Sequence, residues 1–327
     1  MLHINGMGYA HPEVLLDNKF IEDLNVGTDN QWIMDKIGIE KRLVSLPLDY
    51  IKESFNRDPR QAREHALTSP TELAVRAADM ALQRAGITRA QIGMVVCNCC
   101  TPYATAPAEA QRIAGSMGMD ALAYDVFTAC PAVVLLADFV KKFKEHRLPD
   151  YILCVSTATL THCVNFSDRT DVAIWGDGAA AWVLSPRHAG KLDVKYTYYR
   201  SDPTRCQAVA IDTYGFFHQD GRAIRDFSVR QTVRLIRAIE SDFSIDWSRD
   251  VFIGHQANAT MLQQITNNRD IPEASHWHNV TYRGNQAGAG APASLAERWD
   301  DIRSGQKIVV ALVGAGLSWG SMVLEAV

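Results

Sequence analysis

Three short stretches of this 327-residue chain carry nucleophile, imidazole and amide chemistry: "DVFTACPAVV" at 125–134, "GHQAN" at 254–258 and "YRGNQAGAGAP" at 282–292. Cys130 stands before a proline, whose fixed φ and missing N–H suit the first turn of a helix. The sequence therefore predicts Cys130 at or near an N-cap, where the positive helix end lowers a thiol pKa from about 8.5 and makes thiolate available. His255 follows the strand-like run "VFI", so it falls just beyond a strand end, where side chains converge on a crevice. Asn285 lies in a glycine-rich loop, whose backbone can approach a ligand closely. Each residue alone also suits an ordinary structural role, as a buried cysteine usually does. Together they supply the parts of acyl-transfer chemistry.

The elements that must position these residues alternate between helix and strand, which predicts an α/β fold. "SPTELAVRAADMALQRAGI" has helical spacing and gives way to the β-branched run "IGMVV"; "DFSVRQTVRLIRAIESDFSI" is followed in the same way by "VFIGHQAN". Both phrases then continue alike, with a strand-like segment ("LAYDVF"; "HNVTY"), a loop ("TACPA"; "RGNQAGAGAP") and a helix ("VVLLADFVKKF"; "ASLAERW"). The repeated order predicts two duplicated α/β halves. Residues 1–186 would carry the cysteine, and 187–327 the histidine and asparagine. The polar, proline-broken stretch 43–68 reads as an excursion, either a lid or dimer arm or a surface decoration.

A net charge of -4 and a pI near 6.2 argue against a general nucleic-acid binder. With no signal-like N-terminus and no apolar run of about 18 residues, the expected location is cytoplasmic, without a membrane partner. Seven irregularly spaced cysteines read as reduced thiols. "CNCC" at 97–100 ends a predicted strand and "HWH" at 276–278 stands alone; neither has a second set of ligands, so no metal is expected.

The order Cys130, His255, Asn285, with "HQAN", "GN", "WGDGAAAWVL" and "GAGLSWGSMVL" around them, resembles ketoacyl-acyl-carrier-protein synthase III over almost the whole chain. His255 and Asn285 stand 30 residues apart, close to that family's interval. The resemblance implies the thiolase fold, with duplicated α/β halves in five layers, and a homodimer. It implies acyl transfer to Cys130 from a coenzyme A or carrier-protein thioester, then condensation with a malonyl-type thioester. No further cofactor is implied. His255 and Asn285 would hold the thioester carbonyl of the extender, and the N–H groups of Cys130 and Gly316 the oxyanion. Trp32 and Arg169 match the residues that clasp a coenzyme A adenine, a cation–π arrangement.

The chain departs from the family pattern at four places. Pro131 and Ala132 follow the nucleophile where a small residue and glycine are usual. Ala106 stands where a bulky aromatic caps the acyl pocket, Thr260 where a basic residue helps bind the carrier arm, and Lys36 where an arginine is usual. These departures point to a starter larger than acetyl and to specialised metabolism. They also weaken acyl carrier protein as a partner, for which "KKFKEHR" at 141–147 offers another basic run, one that also suits a solvated helix end. Two rival readings are acyl transfer to an alcohol or amine with His255 as base, and a non-catalytic partner subunit of a synthase.

Overall fold

The computed structural model describes residues 1–213 and 215–327. Its strands in chain order are β1 (Leu2–Ala10), β2 (Val14–Asp17), β3 (Lys41–Val44), β4 (Ile92–Cys99), β5 (Leu122–Asp125), β6 (Tyr151–Ala158), β7 (Gly178–Ser185), β8 (Leu192–Ser201), β9 (Val209–Ile211), β10 (Phe217–Gln219), β11 (Val251–Gly254), β12 (Lys307–Gly314) and β13 (Ser318–Ala326). Nine of them form one sheet in the order β11-β12-β13-β8-β1-β7-β6-β4-β5; β2 with β3 and β9 with β10 form small separate pairs.

The join at the middle of the large sheet is narrow, with Leu2–Ile4 of β1 against Leu192–Val194 of β8. On each side of it the chain repeats one plan. From β1 outward, β7 and β6 are antiparallel and β4 and β5 parallel. From β8 outward, β13 and β12 are antiparallel and β11 parallel, with a parallel bridge from Phe252 to His276 where a fifth strand would lie. The helix Ala132–Lys141 touches β6 of one arm and β8 and β13 of the other, while Gly290–Glu297 touches β1, β7 and β11. These two helices therefore lie between the arms. Helices Pro70–Ala85 and Gly221–Asp242 cover the outer faces, which gives five layers.

Local chemistry explains the elements that matter. Ser69 and Glu72 close a capping box on Pro70–Ala85, Pro70 takes the first turn, and Gly86 ends the helix at φ +68°. Its buried face is mostly alanine, because Gly6 and Gly8 of β1 bring the sheet so close that a Cβ there would lie 2.3 Å from Ala81 O or 2.1 Å from Ala77 O. Ala132–Lys141 is apolar almost all round and buries Val133, Val134, Leu136, Ala137 and Val140, as a central-layer helix must.

One expectation changes. "HNVTY" is not a strand, since Val280–Arg283 forms a helical turn closed by Gly284 at φ +73°. The excursion at 43–68 folds into helices Leu48–Ser54 and Pro59–His65, anchored by the buried Ile51 and Ala62. Among the described residues, no helix is long and apolar enough to cross a membrane.

Candidate active site

Cys130 lies between β5 and the central helix, next to the N-cap as expected: the N-cap is Pro131 and the helix begins at Ala132. Its loop is braced from the "CNCC" segment by an amide. Asn98 Nδ2 donates to Ala129 O at 3.2 Å, and Asn98 Oδ1 accepts from Thr128 N at 2.9 Å. These bonds hold Ala129 at φ +53°, a left-handed conformation a non-glycine residue keeps only when its surroundings impose it. The chemically useful residue of that segment is thus its asparagine. Cys97 and Cys99 are buried in β4, and desolvation pushes their thiols well above the usual range.

The end of β12 packs directly on Cys130. A Cβ on Gly314 would lie 2.8 Å from Cys130 Cβ and Pro131 Cδ. The chain leaves the strand in contact with Cys130, and the backbone N–H groups of Ala315 and of the cysteine itself both favour its thiolate. The expected donor Gly316 follows at φ +119° and lines the adjoining cavity. The helix end does not leave a thiolate at neutral pH. Burial outweighs both donors and pushes the thiol up to about 12, because a desolvated anion costs more than two N–H bonds return.

His255 follows β11 directly and is buried. Its Nδ1 is enclosed without a hydrogen-bond partner among the described residues. Burial lowers its pKa to about 4, so the ring is neutral at pH 7. Asn285 is held through its backbone, with its N–H donating to Ile174 O at 2.9 Å and its carbonyl accepting from Gly176 N at 3.1 Å. Asn285 Oδ1 accepts from Ala287 N at 2.9 Å, which leaves the side-chain NH2 as the group that can donate to a ligand.

These loops converge on one place. A Cβ on Gly288 would meet Ala129 O at 2.5 Å and Ala132 Cβ at 2.9 Å; one on Gly290 would meet Gln256 Cβ at 2.9 Å. Gln256, next to His255, accepts from the N–H groups of Asn279 and Val280. The loop carrying Asn285 is therefore wedged between the Cys130 loop and the His255 loop.

Cys130 opens onto a cavity of about 760 Å³. Trp175 and Phe217 meet edge to face in its wall at 4.4 Å, and Thr128 and Tyr199 share a 2.5 Å hydrogen bond there. Cys100, Cys163 and His162 also line it, as do Pro59 and Arg63 of the 43–68 stretch. The sequence singles out none of these wall residues for the site, although Pro59 and Arg63 lie in the excursion read as a lid or dimer arm, Cys100 in "CNCC" and Trp175 in "WGDG".

The remaining predicted residues lie elsewhere. The Arg169 guanidinium covers the Trp32 ring at 4.6 Å from its centroid, so the pair meets as expected. Thr260 Oγ1 lies 2.8 Å from Lys36 O and 3.0 Å from Asn258 Oδ1, tying the start of one helix to the end of another. Ala106 is exposed; its neighbours Ala104 and Thr105 line the cavity instead. At the "HWH" segment, Glu273, His276 and His278 have potential ligand atoms within 4.8 Å of one another. His278 Nε2 is 3.1 Å from Glu273 Oε1, and the two rings stack at 4.6 Å with 28° between planes. Lone pairs lie in the ring planes, so stacked rings do not aim theirs at one ion.

A layered α/β duplication with a cysteine at the head of a central helix is the thiolase-type architecture of acyl-transferring enzymes. The profile described as 3-oxoacyl-[acyl-carrier-protein] synthase III matches residues 124–203, and that of its C-terminal part residues 248–326. A β-ketoacyl-[acyl-carrier-protein] synthase III of Porphyra umbilicalis is 27% identical and covers 99% of each chain. The solved synthase III of Pseudomonas aeruginosa superposes with TM-score 0.83 at 26% identity, covering 99% of this chain and 98% of that one. That of Aquifex aeolicus, at 23% identity, has TM-score 0.87 and covers 99% and 100%. By these matches the chain is similar to the 3-oxoacyl-[acyl-carrier-protein] synthase III (FabH-like) proteins, condensing enzymes of the acyltransferase class.

Proposed function

We propose that this enzyme performs a decarboxylating Claisen condensation through an acyl-Cys130 intermediate, with a starter larger than acetyl and in specialised metabolism. The observation that carries the reading is the thiol of Cys130 at the wall of a 760 Å³ cavity, packed against the end of β12, a volume suited to a sizeable ligand. Sulfur attacks the thioester of an acyl-CoA or acyl carrier protein. The new C–S bond forms as the old one breaks, and the thiol proton leaves with the departing thiol. The carbonyl oxygen takes the N–H groups of Cys130 and Ala315, which compensate its charge where water is excluded.

A malonyl-type thioester follows. A neutral imidazole with its proton on Nε2, and the Asn285 NH2, donate to its carbonyl oxygen and stabilise the enolate left when carbon dioxide departs. The enolate carbon attacks the acyl group, and Cys130 sulfur leaves and regains a proton. Trp32 and Arg169 clasp the adenine of coenzyme A, the guanidinium swinging off the indole to admit it. No metal or organic cofactor enters this scheme. The division into 1–186 and 187–327 follows from the same reading, the first part supplying the nucleophile and the second the enolate donors. A homodimer is supported by the edge strand β5, where Leu122 is 66% exposed.

The test is intact-protein mass after incubation with acyl-CoAs of increasing length, beside Cys130→Ala, followed by malonyl-CoA with carbon dioxide measured. An acyl increment on wild type alone and carbon dioxide release are expected. Acylation without carbon dioxide, with transfer to an alcohol or amine, would give the reaction to simple acyl transfer. No increment from any coenzyme A or carrier-protein donor would leave a non-catalytic partner subunit.

A further inference from the structure

We infer that the cavity beside Cys130 reads oxygen on the acyl group, and that the preferred donor is a 3-hydroxyacyl or 3-oxoacyl thioester in place of a plain saturated one. This rests on the proposed acylation of Cys130. The strand register places the residues. Gly314 packs on Cys130 and is paired with Ser318 across the turn from β12 to β13, and Ser318 is paired in turn with Ser201 of β8. Tyr199 stands two residues before Ser201, on the same face of the strand, since side chains alternate. Its hydroxyl meets that of Thr128, two residues before Cys130, at 2.5 Å. Thr128, Tyr199, Ser201 and Ser318 all line the cavity. Each is thus tied to Cys130 by a short stretch of chain, a strand pairing or a hydrogen bond.

These hydroxyls have capacity to spare. In the Thr128–Tyr199 pair one O–H donates to the other oxygen, whichever way round, and the second O–H has no partner among the described residues. Ser201 Oγ has none there either, while Ser318 Oγ donates to Ala315 O at 2.7 Å and keeps its lone pairs.

Water satisfies such groups until an acyl chain displaces it. Methylene groups then leave the spare O–H without an acceptor, which is the costly outcome for a polar group taken out of water. An oxygen on the chain accepts from it instead. Reach fixes where that oxygen belongs: two residues span at most about 7 Å, so the Thr128–Tyr199 pair serves the first carbons beyond the thioester carbonyl. The Trp175–Phe217 wall is left for an apolar remainder.

The test compares plain, 3-hydroxy and 3-oxo acyl-CoAs from hexanoyl to dodecanoyl on wild type, Tyr199→Phe and the double variant Tyr199→Phe, Thr128→Val, by rate of the mass increment on Cys130. Each rate is divided by that of the same donor with N-acetylcysteine, so that intrinsic reactivity cancels. At the best length, wild type should load a 3-oxygenated donor about tenfold faster than the plain one, the size of one hydrogen bond left unmade. The preference should shrink in Tyr199→Phe and vanish in the double variant. Equal loading by wild type, or a preference that survives in the double variant, would overturn the inference while acylation itself stands; a uniform slowing with the ratio kept would give the hydroxyl pair a bracing role only. Should the double variant fail to fold by circular dichroism, Tyr199→Phe decides, and an undiminished preference overturns the inference. If no donor loads, the proposed function fails, and calorimetric binding of 3-hydroxydecanoic against decanoic acid decides the inference alone. Tighter binding of the hydroxy acid that Tyr199→Phe weakens supports it, and equal or absent binding overturns it.

Discussion

The loops around Cys130 and the Trp32–Arg169 pair are both assembled from distant sequence, but by different forces. Around Cys130, contact is made by backbone: Gly314, Gly288 and Gly290 let loops touch where any side chain would collide, and buried hydrogen bonds from Asn98 and to Asn285 set the angles. At Trp32 a guanidinium on a flexible, exposed side chain covers a half-buried ring. The first arrangement has one geometry; the second can open. The contrast matches the tasks proposed above for the two places, since an oxyanion must be met by donors already in place, whereas a nucleotide must come and go.

The contrast can be broken by substitution, most severely at the donors. Asn285→Ala should lower condensation by about 10²–10³ in turnover, as removal of a single oxyanion donor does, with acyl loading of Cys130 retained and the circular dichroism spectrum unaltered. Loss of loading as well would move Asn285 from the enolate step to the nucleophile. Gly288→Ala touches no substrate, yet its Cβ would lie 2.5 Å from Ala129 O. Overpacking of this kind costs about 1–3 kcal/mol, so urea denaturation should show a lowered midpoint and acylation should slow. A variant as stable and as fast as wild type would mean that the nucleophile loop is soft.

Acid sharpens the comparison from the buried side. His162, His255 and His276 are held neutral by burial, with pKa lowered to about 3, 4 and 3. Below about pH 6.5 the unfolded chain binds protons that the fold refuses, so stability falls with pH by up to about 1.4 kcal/mol per unit per histidine. Above about pH 6.5 these histidines contribute no slope. Urea midpoints measured at pH 7 and pH 5 should therefore drop; equal midpoints would show that the rings reach water. The smallest effect belongs to the open pair. Trp32→Ala should raise KM for coenzyme A donors severalfold, in line with about 0.5–1 kcal/mol for an exposed cation–π contact, with kcat and urea midpoint unchanged. A large fall in kcat would place Trp32 among the rigid parts.

Much of this was legible beforehand because it is local. Helix Pro70–Ala85 announced itself through its cap, proline and glycine, and His255 through the strand before it. The duplicated order of elements could be read twice along the chain, and the strand order repeats it. What misled was also local reasoning, applied where a long-range contact wins. "HNVTY" has strand-forming residues, but Gln256 accepts from the N–H groups of Asn279 and Val280 and the segment turns. The excursion at 43–68 looked polar and loose because its anchors, Ile51 and Ala62, are few and widely spaced.

By itself, then, the sequence determined the layered α/β plan and the three chemical groups with their order, since hydrophobic period, caps and residue type are properties of short segments. Only the tertiary structure decided that the end of β12 packs on Cys130, which protonation state burial imposes on Cys130 and His255, and that a helix from the excursion brings Arg63 to the cavity wall. Those outcomes depend on desolvation and on contacts between residues far apart in the chain, and no local pattern encodes either.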